Sequence, residues 1–136
     1  MEPAAAPGLV PEGTVITPEN IREYPYIHAN WCADFNEWYD KNYHYRNYHL
    51  EIGHTTHIGR WVRSGLGIAF FPHCAVAPRL ESGEVVSIPY EQGDTTPLYT
   101  GYLIYMKRNR EKLAGIVKDI IQHVGDTGIV SSDLLD

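Results

Sequence analysis

Apolar positions return at helical spacing in three stretches of the chain. Phe35, Trp38 and Tyr39 stand at i, i+3 and i+4, which predicts a helix burying one face, entered through a turn at Asn30-Trp31-Cys32. Ile58, Trp61 and Val62 share a second face behind His54-Thr55-Thr56-His57, and Gly65 stands where a left-handed C-terminal cap belongs. Leu113, Ile116, Val117, Ile120, Ile121 and Val124 keep strict helical spacing, with Asn109 placed to cap the start and Gly125 the end. Between these helices lie short apolar or alternating runs that predict strands: Tyr26 to Ala29, Tyr48 to Ile52, Gly67 to Phe71, Val85 to Pro89 and Leu98 to Lys107. Thr17-Pro18-Glu19-Asn20-Ile21 starts a short helix that Tyr24-Pro25 ends, and Cys74 to Gly83 reads as another. Strands alternating with helices over short connections predict an α/β fold, a mainly parallel sheet flanked by helices on both faces.

Residues 1–13 carry three prolines and two glycines without a periodic apolar face, so they read as a flexible leader. The domain proper is expected over 14–124, with 125–136 as a polar tail. The chain has 136 residues, 43% of them hydrophobic, which suits one globular domain and is too apolar for disorder. A net charge of −6 argues against unassisted binding to a nucleic-acid backbone. Cys32 and Cys74 form no CxxC pair and read as reduced thiols. With no secretory signal at the start and no apolar run longer than Ile68 to Pro72, the expectation is a cytoplasmic protein without a membrane partner.

The wording of the central segment resembles the effector-binding domain of LysR-type transcriptional regulators. Val62-Arg63-Ser64-Gly65-Leu66-Gly67-Ile68-Ala69-Phe70-Phe71-Pro72 is similar to that family's succession of apolar helix, Gly-Leu-Gly-Ile, apolar strand and proline. Val76-Ala77-Pro78-Arg79-Leu80-Glu81-Ser82-Gly83-Glu84-Val85-Val86 and Leu103-Ile104-Tyr105-Met106-Lys107-Arg108 support the likeness. So do Val15-Ile16-Thr17-Pro18-Glu19-Asn20-Ile21 and Tyr24-Pro25-Tyr26-Ile27 upstream. The resemblance implies a type 2 periplasmic-binding-protein-like lobe, here a truncated one: the C-terminal half of the effector domain, without the winged helix-turn-helix, linker helix and first lobe of a complete regulator. In that family the last helix belongs to the first lobe, so its apolar stripe is expected to dock on a second copy or to fold back on the single lobe.

Open parallel sheets hold ligands at the carboxyl ends of their strands, where helix N-termini favour a negative group. The loops after the first two strands, His28-Ala29-Asn30-Trp31-Cys32 and Gly53-His54-Thr55-Thr56, occupy such places. The resemblance implies a small-molecule site there, which carries Asn30, Trp31, Thr55, Thr56 and Phe71 forward as candidates. Asn30 and the threonines would hydrogen-bond a carboxylate, and Trp31 would cover an apolar or aromatic body. The competing reading is that Thr55 or Thr56 merely caps a helix and that Trp31 merely fills core.

Other chemistry finds less support. The seven histidines, including His54 and His57 at i, i+3, lack the tight pairing of a zinc site, and no metal or other cofactor is expected. Nine of the sixteen aromatics fall between Tyr24 and Tyr48, but Asp34, Glu37 and Asp40 outnumber Lys41 and Arg46 there, which favours core packing and self-association over base stacking. No GxSxG, P-loop or HExxH motif occurs, and nothing orients Cys32 against His28 as nucleophile and base, so no catalytic residue is assigned. The expected function is sensing of a small, anionic effector, with DNA reached through a region outside this chain. The alternative is a protein-interaction or oligomerisation fragment with no ligand of its own.

Overall fold

The computed structural model describes residues 1–44, 49–99, 103–104 and 106–125. The chain divides into two compact units, Met1–Thr100 and Gly101–Asp136. In the first unit, strand β1 (Glu2–Ala5) lies between β4 (Ala69–Phe71) and β5 (Val86–Ser87), antiparallel to both. Strand β2 (Ile27–Ala29) pairs in parallel with β3 (Leu50–Ile52). A parallel bridge from Tyr26 to Ile68 ties the two sheets together. The helices are α1 (Ala33–Asn42), α2 (Ile58–Arg63) and α3 (His73–Glu81), with short 3-10 turns at Ile21–Glu23 and Thr55–His57.

The alternation of strand and helix appears in the expected order, and the described strands form sheets of both kinds where a mainly parallel sheet is expected from the sequence. The antiparallel half arises from β1. Its four residues were expected to be loose leader, yet Pro3, Ala4 and Ala5 are buried at the centre of the three-stranded sheet. Proline donates no ladder hydrogen bond and normally argues against a central strand. Here Pro3 still contributes its carbonyl, which accepts the Ile88 N–H at 3.0 Å.

Successive residues of the strands feed opposite faces, as the pleat requires. Ala5 and Phe70 belong to one core cluster with Ile16, Tyr26, Phe35, Trp38, Tyr39 and Tyr43, while Ala4, Ala69 and Phe71 belong to another with Ile27, Ile58, Val62 and Val76. Phe70 is the centre of the first. Six rings, those of Tyr26, Phe35, Trp38, Tyr39, Tyr43 and Tyr90, stand 5.4–6.3 Å from it. The aromatic density of the sequence is thus largely core, and the predicted face of α1 is the buried one.

Turns end the elements where glycine permits. Gly65 after α2 and Gly83 after α3 adopt φ of 76° and 73°, the left-handed conformation expected of C-terminal caps. Thr17 and Asn20 exchange side-chain-to-backbone hydrogen bonds at 2.9 and 3.2 Å and brace the turn at Ile21–Glu23. In the second unit, a 3-10 turn (Lys107–Asn109) leads into α4 (Arg110–Gly125), the helix foreseen from the apolar stripe. The described residues between 98 and 107 form no strand, which departs from expectation. Tyr48 and the tail 126–136 lie outside the described residues.

Candidate functional site

The carboxyl ends of β2, β3 and β4 come together on one side of the first unit. Beyond β2 the chain doubles back, the Trp31 N–H donating to the Ala29 carbonyl at 3.0 Å. The Trp31 indole N–H donates to the Phe70 carbonyl at 2.6 Å, so the ring is latched to β4. Its centroid lies 5.9 Å from that of Phe71 and 6.2 Å from that of Tyr99. Beyond β3, Gly53 and His54 lead into the turn at Thr55–His57 and then α2. His54 and His57 hold the two N-cap positions and neither makes a side-chain cap hydrogen bond. Thr55 contributes its carbonyl, which accepts the Ile58 N–H. The threonine hydroxyls therefore do not serve as helix caps among the described residues.

These elements line an open cavity of about 250 Å³. Trp31, Thr55, Thr56 and Phe71 line it together with Ile58 and Gly59 of α2 and Ala75 and Arg79 of α3. Four of the five residues expected from the sequence thus share one concavity. Asn30 does not line it; its side-chain N–H donates to the Glu51 carboxylate at 3.2 Å across the β2–β3 pair. Trp31 combines both competing readings, since its ring packs against the core clusters and also walls the cavity.

Arg79 was missed. It lies half-buried on α3, four residues beyond Ala75, on the side where Val76 and Leu80 face the core. A charged residue falling within an apolar helical stripe is the signal that would have found it. The cavity lining holds this one formal charge and no carboxylate. Gly59, also unforeseen, matters through its missing side chain: a Cβ there would stand 2.7 Å from Arg79 Cζ and 2.8 Å from Nε. The guanidinium therefore rests on bare helix backbone.

Tyr26 stands one residue before β2 and His28 within it, and His28 sits opposite Glu51 in the parallel register. The Tyr26 hydroxyl and His28 Nδ1 share a hydrogen bond at 3.3 Å. Burial pushes the His28 pKa below its ordinary value, although Glu51, a hydrogen bond with Asn30 and Asp40 pull it upward. His28 is accordingly a neutral core residue at pH 7. The Cys32 thiol points to the Leu98 carbonyl at 3.7 Å. Among the described residues no group of three or more His, Cys, Asp or Glu side chains could hold a metal ion, and no helix is long and apolar enough to cross a membrane.

The family model of the LysR substrate binding domain matches residues 1–126. Among solved structures, the chain is similar to the regulatory domain of MetR, a LysR family regulator from N. meningitidis. The identity is 26% and the TM-score 0.51, over 66% of this chain and 45% of that one. It shares a fold with the effector domain of the transcriptional regulator AmpR of Pseudomonas aeruginosa at 13% identity and a TM-score of 0.53, over 90% of this chain and 62% of that one. The chain thus spans less than two thirds of the length of either neighbour. No curated protein matches it. The mixed sheets with flanking helices are those of a type 2 periplasmic-binding-protein-like fold, and with the family model matched over nearly its whole length, the chain belongs to the LysR substrate-binding domain family.

Proposed function

We propose that this chain is the ligand-sensing part of a LysR-type transcriptional regulator that takes up a small anionic effector in the cavity at the strand ends. The observation carrying this reading is the meeting of an aromatic wall, Trp31 and Phe71, with the hydroxyl-bearing turn Thr55-Thr56 in one concavity that holds a positive and no negative charge. Apolar walls with a few convergent polar groups are the usual make-up of a small-molecule site. Binding would act by population shift, favouring one arrangement of the regulator over another and passing that bias to a DNA-binding region outside this chain. The setting is the cytoplasm, and no cofactor is required.

Chemical-shift mapping with a panel of small aliphatic and aromatic carboxylates tests the proposal. Saturable shifts of the Trp31 indole N–H and the Thr55 and Thr56 amides are expected, weakened in Thr55→Val and Thr56→Val. A panel that leaves all three resonances unmoved in the folded protein refutes it. A second reading, self-association through α4, is favoured by the exposure of Ile116 and Ile120 on that helix. Sedimentation at several concentrations without ligand decides it, since a constant monomer mass rules it out.

A further inference from the structure

Three features of Arg79 converge on a role in choosing the ligand. The residue lines the cavity from α3 and is itself half-buried. Among the described residues no Asp or Glu pairs with it; Nη1 donates to the Ala75 carbonyl of its own helix at a long 3.4 Å. Guanidinium carries five N–H donors, so most of its capacity is uncommitted. The head also lies against the backbone of α2, in the space that any side chain at position 59 would need, with Nη1 3.0 Å from where a Cβ would stand. Thr55 and Gly59 are four residues apart on adjoining turns, which puts the seat of the guanidinium and the threonine turn on the same wall.

We infer that Arg79, seated on Gly59, is the specificity-determining residue of this cavity and selects organic carboxylates over neutral molecules of the same shape. The inference rests on the ligand-sensing reading above and deepens it. The planar fork donates to both oxygens of a carboxylate side by side, as a lysine ammonium does not. Trp31 and Phe71, with ring centroids 5.9 Å apart, offer the apolar surface for the remainder of the molecule. About 250 Å³ is small beside the ~300–1,000 Å³ of pockets for drug-sized ligands, so the ligand is metabolite-sized.

Phenylacetate and phenylacetamide, which differ in charge and hardly in shape, are the probes. Titrated into the full chain and followed at the Trp31 indole N–H, phenylacetate is expected to bind about 10- to 100-fold more tightly, the range of a charge-assisted hydrogen-bonded pair. Arg79→Gln should bring the two affinities within about twofold while phenylacetamide binds as before. Gly59→Ala, which dislodges the head but keeps its charge, should fall between. In the wild type, added salt should weaken phenylacetate and spare phenylacetamide, a check that requires no variant. A carboxylate preference that survives Arg79→Gln, or equal binding of the two probes to the wild type, overturns the assignment to Arg79 and leaves the cavity as a binding site. Failure of both probes to bind the wild type overturns the assignment as well, and a silent carboxylate panel in the earlier test then removes the site itself.

Discussion

Replacing Gly67 by alanine would put a methyl group 2.7 Å from the Pro25 carbonyl oxygen and 3.2 Å from Ile27 Cγ1. Ordinary van der Waals contact begins at 3.4 Å, so the oxygen must retreat by about 0.7 Å. That oxygen is committed. It accepts the Ile68 N–H at 2.8 Å, and the Ile27 N–H donates back to the Ile68 carbonyl at 2.9 Å, the two bonds that hold β2 alongside β4. Moving it by this amount stretches the first bond to the edge of usefulness. Overpacking against backbone costs about 1–3 kcal/mol and the weakened bond about 1 kcal/mol more, against roughly 0.4–1 kcal/mol gained from a stiffer unfolded chain. The net expectation is a loss of about 1–3.5 kcal/mol, a large share of a small domain's total stability. Gly53 and Gly65 supply the controls, because a Cβ at either meets nothing within 4 Å. Gly53→Ala should be neutral or slightly stabilising. Gly65→Ala should lose about 1 kcal/mol through its φ of 76° alone. Urea unfolding followed by circular dichroism reads all three. A Gly67→Ala midpoint equal to that of Gly53→Ala would refute the claim that this glycine exists to let β2 and β4 approach.

The other predictions concern acid. Because the His28 pKa is lowered in the folded state, the unfolded chain binds the extra proton first; stability is intact above 6.5, the ordinary histidine value, and falls as pH drops below it. Urea midpoints between pH 7.5 and 5 should show this decline in the wild type and a flatter profile in His28→Gln, and identical slopes would contradict the buried neutral imidazole. Glu2 titrates lower down: burial raises its carboxyl, but hydrogen bonds from His73 and Ser87, with the charges of His73 and the N-terminus, outweigh it and hold the pKa below 4.5. Its contribution is present above that value and fades as pH falls through the folded pKa. Glu2→Gln should therefore lower stability at neutral pH by roughly 0.5–1 kcal/mol, as expected of a partly exposed pair, and by less near pH 3. A difference that grows in acid would reverse the assignment.

Much of the first unit was legible because its signals are local. The i, i+3, i+4 spacing of Phe35, Trp38 and Tyr39 reports the buried face of α1 directly, and a glycine after an apolar helix announces a left-handed cap at Gly65. The order of elements and the family resemblance together brought Trp31, Thr55, Thr56 and Phe71 to one cavity. What escaped depends on partners distant along the chain. Glu2-Pro3-Ala4-Ala5 has two small residues and a proline, none of which advertises a strand, and it becomes one only because β4 and β5 leave a slot between them. Arg79 escaped because a single arginine late in a helix is normally solvated, and its seat is created by the absence of a side chain on another helix. Asn30 was misplaced for the reverse reason: it stands beside the expected site, but Glu51, one strand over, claims its amide. The mainly parallel expectation assumed that every strand enters through a crossover, which β1 does not.

The central position of β1 bears on how the chain matures. Its partners are Phe71 to Ala69 and Ser87 to Val86, met only about seventy and eighty residues later. Synthesis runs from N- to C-terminus, so β1 emerges before either strand it pairs with. Until Ser87 has emerged, the opening residues have one neighbour at most, and β4 and β5, which do not touch each other in the sheet order, stay unbridged. The nascent polypeptide therefore holds an unzipped edge between the emergence of β1 and that of β5, the period when chaperones or neighbouring chains have the best chance of capturing it.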